Sequence, residues 1–186
     1  EIDVAVYGDT IRVSPFFAET WFFTNHVEGY TGILGGGNGF QGERAIIMGG
    51  AEDSPYRATI DYYSIGTLSD ATEFGELTEG RGQQLGCMAS GSRGMCTGGR
   101  DTAHLDTIDY ISMYTYSNAI DFGELTQARA YFGGGSDGHR GVQTGGSLVP
   151  SPYTNVIDYQ AIMTAGDATD FGDRTAAYGW SDNTLV

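Results

Sequence analysis

Lysine is absent from this 186-residue chain: its nine basic residues are all arginine, against 24 acidic ones, for a net charge of −15. Binding nucleic acid calls for clustered Lys and Arg against the phosphates, so that partner is disfavoured. The acidity reads first as solubility of a surface-rich protein, and second as a docking face for cations or a basic partner. Long apolar runs are also missing; none reaches 18 residues, and no membrane insertion is expected. No window of a dozen residues carries apolar positions at helical spacing, so helix should make up less than about a tenth of the fold.

Cysteine is limited to two residues and histidine to three. With no other thiol and no close pair of histidines, a zinc site is not expected. A Gly-x-Ser-x-Gly nucleophile elbow is not expected, P-loop and HExxH motifs are absent, and no helical pattern follows the glycine cluster GGGNGF at Gly35, which disfavours a dinucleotide site. No enzymatic activity, cofactor or metal is expected. The chain opens on Glu1 without a signal-like segment, as a processed or excerpted chain would.

What the chain has is periodicity. TIDY starts at Thr59 and Thr107 and VIDY at Val156, steps of 48 and 49 residues, and EFGELT at Glu73, DFGELT at Asp121 and DFGDRT at Asp170 keep the same steps. A double glycine precedes each TIDY phrase, at Gly49, Gly98 and Gly145, and an arginine stands five residues before each, at Arg44, Arg93 and Arg140. Periods of this length mark solenoids, propellers or arrays. Within one period the runs are short, β-branched and aromatic, and Gly, Ser, Asp and Pro separate them, as in hairpin-connected strands. A further strand is expected after each FGEL phrase, in GQQLGCMAS from Gly82 and AYFGGGS from Ala130. Four strands in about 48 residues is the size of one β-propeller blade.

A double glycine closing one strand, a Tyr-bearing strand and an aromatic-plus-small strand resemble the kelch repeat. The wording Arg-Gly-x-x-x-Gly-Gly, then IDY, then DFG-[ED]-L-T is similar to kelch-like tandem repeats in structural proteins of aquatic bacteriophages. The resemblance covers about three quarters of the chain plainly. It implies an all-β propeller of four-stranded antiparallel blades and a virion or extracellular setting. The implied role is a non-enzymatic part of a tail, fibre or other appendage. Its partners would be other virion proteins, copies of itself, or a host-surface glycan or protein. The alternative is a secreted carbohydrate-binding or glycan-active propeller.

The ends of the chain extend the repeat. VAVYGDTIRVS lies on the Gly-Gly and TIDY strands, Phe23 stands near the position of Phe74, Phe122 and Phe171, and TAAYGWSDNTLV matches only the further strand. Blades are therefore expected at about 30–78, 79–126 and 127–175, with 1–29 completed by 176–186 so that the terminal strands close a four-bladed ring. The four phenylalanines are expected to be buried between blades.

Several side chains are candidates for special roles. Asp61, Asp109 and Asp158 form one ring of equivalent positions and Arg44, Arg93 and Arg140 another, with Arg12 and Asp3 as their sign-exchanged counterparts. That arrangement reads as a structural charge pair, or alternatively as a carboxylate funnel for a cation. Cys87 and Cys96 should face each other across a hairpin centred between Gly91 and Ser92, either as a disulfide or as two packing residues. His26, His104 and His139 fall at unrelated places in the repeat and read as surface residues. The loops ahead of each TIDY phrase, AEDSPYRA from Ala51, RDTAHLD from Arg100 and SLVPSPYTN from Ser147, differ while their flanks barely change. Recognition is often built on such loops, and Tyr56, Arg57, His104 and Tyr153 are the candidate contacts.

Overall fold

The structure is a computed structural model, and it describes residues 3–7, 10–14, 44–50, 56–82, 86–149 and 153–179. Among these residues there are strands and turns but no helix. Strands β1 (Asp3–Tyr7) and β2 (Thr10–Ser14) pair as an antiparallel hairpin. Three larger antiparallel sheets follow. The first holds β3 (Arg44–Gly50), β4 (Arg57–Ser64) and β5 (Thr72–Glu76). The second holds β6 (Gly86–Ala89), β7 (Arg93–Thr97), β8 (Thr107–Ser112) and β9 (Ile120–Glu124). The third holds β10 (Gly133–Ser136), β11 (Arg140–Thr144), β12 (Val156–Ala161) and β13 (Thr169–Asp173). In each, every strand pairs with its neighbour in the chain. The extra strand foreseen after each FGEL phrase is the first strand of the following sheet. Its counterpart for the first sheet, around Gly32–Phe40, lies outside the described residues, as does the C-terminal strand expected to close the ring.

The repeated phrases do identifiable work at the two sheet-to-sheet interfaces. On each TIDY strand the register slips between Ile and Asp, at Ile60/Asp61, Ile108/Asp109 and Ile157/Asp158. The slip leaves Phe74, Phe122 and Phe171 as the extra residue of a β-bulge, a device that re-aims a side chain. Each Phe meets the Tyr of its own IDY phrase edge-on: Tyr62–Phe74 at 6.2 Å, Tyr110–Phe122 at 5.7 Å and Tyr159–Phe171 at 5.7 Å between ring centres. Phe74 joins Ile60, Leu77, Ile111 and Met113 in a core between the first and second sheets, and Phe122 joins Ile108, Leu125, Phe132 and Ile162 between the second and third.

The residue after the Phe is glycine because the next sheet rests on it. A Cβ on Gly75 would strike the Ser117 backbone, and one on Gly123 would lie 2.6 Å from the carbonyl carbon of Gly166. Main-chain bonds seal these contacts: Ala119 N–H donates to the Glu76 carbonyl at 2.7 Å and Ala168 N–H to that of Glu124 at 2.8 Å. At the other end of the strands, the second glycine of each pair reaches the linker leaving the same sheet. Gly50 N–H donates to the Arg81 carbonyl at 3.0 Å, Gly99 N–H to that of Arg129 at 2.9 Å, and Gly146 N–H to that of Tyr178 at 3.0 Å. The first glycine makes that swing possible: Gly49, Gly98 and Gly145 have φ of 66°, 56° and 68°, a region costly for other residues.

The expected burial of the four phenylalanines needs correction. Phe74 and Phe122 are 4% and 3% exposed, but Phe171 is 59% exposed, because no sheet among the described residues covers that face of the third sheet. Phe23 lies outside the described residues. Phe122→Ala should therefore lower unfolding free energy by roughly 3–5 kcal/mol, and Phe171→Ala by less, in keeping with its 59% exposure. Urea titration of the two variants checks the contrast.

Candidate functional site

The repeated aspartates are the anchor from which the loop edge is built. Asp109 and Asp158 have no exposed surface, and each is closed off by an arginine from the linker ahead of its own sheet. Arg81 and Asp109 form a fully buried ion pair, and Arg129 Nη2 lies 2.9 Å from Asp158 Oδ2. The Thr of each FGELT phrase completes the cluster: Thr78 Oγ1 donates to Asp109 Oδ1 at 2.7 Å and Thr126 Oγ1 to Asp158 Oδ1 at 2.6 Å. Each guanidinium also donates to main chain, Arg81 Nη1 to the Thr107 carbonyl at 2.8 Å and Arg129 Nη1 to that of Val156 at 3.0 Å. Charges this deep persist only when paired and hydrogen-bonded, although the Nε of each arginine is buried without a partner.

This geometry corrects two sequence expectations. The partners of the aspartates are Arg81 and Arg129, not the Arg93 and Arg140 of the Gly-Gly strands. Those two stack instead on the IDY tyrosines, with guanidinium carbons 4.5 Å from the Tyr110 ring centre and 5.7 Å from that of Tyr159. Nor is there a carboxylate funnel at Asp109 and Asp158, since arginine already fills the space a cation would need. Asp61 is half-buried, and the residue 28 positions ahead of it, Ile33, lies outside the described residues. The Arg44, Asp3 and Arg12 side chains lie outside the described set.

Because the linker is held at one end of the sheets, the loops beside it share that edge. Arg81 N–H donates to the Arg57 carbonyl at 3.1 Å, and Arg129 N–H to the Leu105 carbonyl at 3.0 Å. Single bridges tie Gly82 to Arg100 and Ala130 to Ser147. Of the candidate contacts, Tyr56 and His104 are half-buried, while Arg57 and Tyr153 are exposed. The residues actually brought together are His104, Tyr131 and Ser147. The imidazole meets the Tyr131 ring edge-on at 6.4 Å and donates to the Ser147 main chain, while its Nδ1 is buried without a partner. Tyr131 has φ of 59°, the one positive value outside glycine among the described residues. Backbone strain of this kind gathers at functional positions. Neither Tyr131 nor the Arg81 and Arg129 anchors stood out in the sequence, although the shared Thr-x-x-Arg spacing after FGEL was there to be read.

No protein-family model matches this chain, and no curated protein matches it.

The remaining candidates are separate. His26 lies outside the described residues, and His139 is an exposed turn residue whose N–H donates to Asp137 Oδ1 at 2.8 Å. Bonds from the Arg140 and His139 main chain hold the Asp137 carboxyl below its ordinary range. Ser136 lies in a Gly-x-Ser-x-Gly stretch, but that stretch is a β-hairpin, and its Oγ donates to the Ala89 carbonyl at 2.7 Å. Cys87 and Cys96 stand directly opposite each other and are free thiols, Cys87 exposed and Cys96 buried. Among the described residues, no three His, Cys, Asp or Glu side chains gather as a metal site.

Burial pushes the His104 pKa below its ordinary 6.5; Arg100 adds to the shift and the hydrogen bond to Ser147 opposes it. A histidine with a depressed folded pKa binds fewer protons folded than unfolded, so stability falls as pH drops below about 6.5. His104→Gln should flatten the pH dependence of the urea midpoint in the window just under that value. An unchanged slope would mean the imidazole is not desolvated as described.

Proposed function

We propose that this chain is a non-catalytic, kelch-like propeller of a phage virion appendage, whose loop edge touches a host surface or a neighbouring virion protein. The observation that carries the reading is a contrast within each repeat. Bulge, aromatic pair and glycine clasp recur in register from sheet to sheet, while the loops on one edge differ in length and chemistry. A scaffold that repeats its interfaces and varies its loops is suited to presenting contacts. Tyr153 and Arg57, exposed on that edge, offer contact area and polar handles at low entropic cost. The ring would close through strands from the two ends of the chain. Phe171 would then be covered, as Phe74 and Phe122 are.

The test is binding of the labelled chain to host cells and to a glycan array. Retention that falls at least about tenfold in Arg57→Ala and Tyr153→Ala, as expected when interface anchors are truncated, supports the reading. Retention unaffected by either change would reject the loop edge as the contact. Turnover of oligosaccharides by the chain would reject the non-catalytic role.

A further inference from the structure

Four of the chain's five methionines and one of its two cysteines meet at a single cavity between the first and second sheets. The cavity holds about 280 Å³, and five of its eight lining residues carry sulphur. Methionine commonly fills irregular gaps, but the directions of these sulphurs are specific. Met88 Sδ faces the third sheet, where the Gln143 and Gln160 side-chain amides approach it at 3.5 and 3.2 Å. Met95 packs toward the same sheet. Met113 and Met48 turn the other way: Met113 Sδ lies 3.0 Å, and Met48 Cε 3.2 Å, from where a Gly94 side chain would begin. Glycine at 94 thus leaves room in which both thioethers converge.

Gly94 shares its strand face with Cys96, two residues on, and pairs with Ala89, two residues from Cys87. Ser90 and Arg93 are hydrogen-bonded across the turn, and alternation along the ladder makes Cys87 and Cys96 a non-hydrogen-bonded pair. In such a pair the Cα atoms are about 4.5 Å apart with side chains on one face. Cys96 is fully buried among Met113, Ile111 and Leu77, and Cys87 lines the cavity and reaches solvent. Two opposed thiols, Cys87 on the cavity wall and Cys96 buried behind it, therefore share one apolar face with the thioethers of Met48 and Met113. Thiolate and thioether ligands select soft, low-charge metal ions, copper(I) foremost.

We propose that this cavity binds one copper(I) ion through Cys87 Sγ and Cys96 Sγ, with Met113 Sδ and Met48 Sδ completing the set. Binding releases the thiol protons to solvent. The monovalent ion offsets one of the two thiolate charges, and the other lies at Cys87, where the cavity opens to solvent.

The experiment titrates the intact, reduced chain under anaerobic conditions with copper(I) supplied as its acetonitrile complex, in competition with a chromophoric copper(I) chelator. One equivalent should bind and give an ultraviolet thiolate-to-copper absorption. Cys87→Ser, at the solvent side of the cavity where folding is spared, should abolish that band. Met113→Leu should weaken binding by at least about tenfold, since even outer-shell changes at metal sites cost this much. Met163→Leu, whose sulphur instead accepts from Ser90 and Ser92 outside the cavity, should leave it unchanged. No binding by the reduced chain, full binding by Cys87→Ser, or an equal loss in Met163→Leu would overturn the proposal. So would a Cys87–Cys96 disulfide that cannot be reduced without unfolding.

Discussion

A charge buried between two sheets is the constraint on which the arrangement rests. Arg81 and Arg129 have no exposed surface, and each is inserted between the sheet it leaves and the sheet it enters. Its carboxylate partner lies on the entered sheet, and the Thr that shares this carboxylate ends the sheet just left. Apolar packing by Phe74 or Phe122 would hold two sheets together at many relative angles. A set of directional bonds to Asp, Thr and main-chain carbonyls is satisfied in only one. Leaving either charge unpaired in that interior would be far costlier than any sliding of apolar surfaces.

That constraint also explains why one edge of the molecule is free to vary. Once the linker is pinned, its main chain bonds to the Gly-Gly turn and to the start of the next loop, so the loop base is set by backbone alone. Sequence between the two anchor points can then change without disturbing the interface. The cluster of His104, Tyr131 and Ser147 is built in this way from three different segments, each delivered by the repeat but none of them repeated itself.

Much of this could be read from the residues. Strand positions, their antiparallel order and the opposition of Cys87 and Cys96 follow from the alternation of apolar runs with glycine-rich turns and from a symmetric hairpin. The interfacial role of Phe74 and Phe122 follows from the period. Two things were hidden. The aspartate partners were misassigned because Arg93 and Arg140 recur as faithfully as Arg81 and Arg129, and periodicity alone cannot say which arginine turns inward. The exposure of Phe171 was hidden because equivalence in a repeat does not say whether a sheet among the described residues covers the last unit. At that end the chain itself departs from its pattern, with Arg174 where Leu77 and Leu125 stand and Tyr178 where Arg81 and Arg129 stand.

The central claim is that the buried Arg–Asp–Thr cluster fixes one sheet to the next, and a double-mutant cycle on Arg129 and Asp158 addresses it directly. Followed by urea unfolding, Arg129→Met alone should cost about 3–5 kcal/mol, because it strands a buried carboxylate, and combining it with Asp158→Leu should recover much of that loss. A single substitution costing under about 1 kcal/mol, the range of exposed ion pairs, would contradict the account.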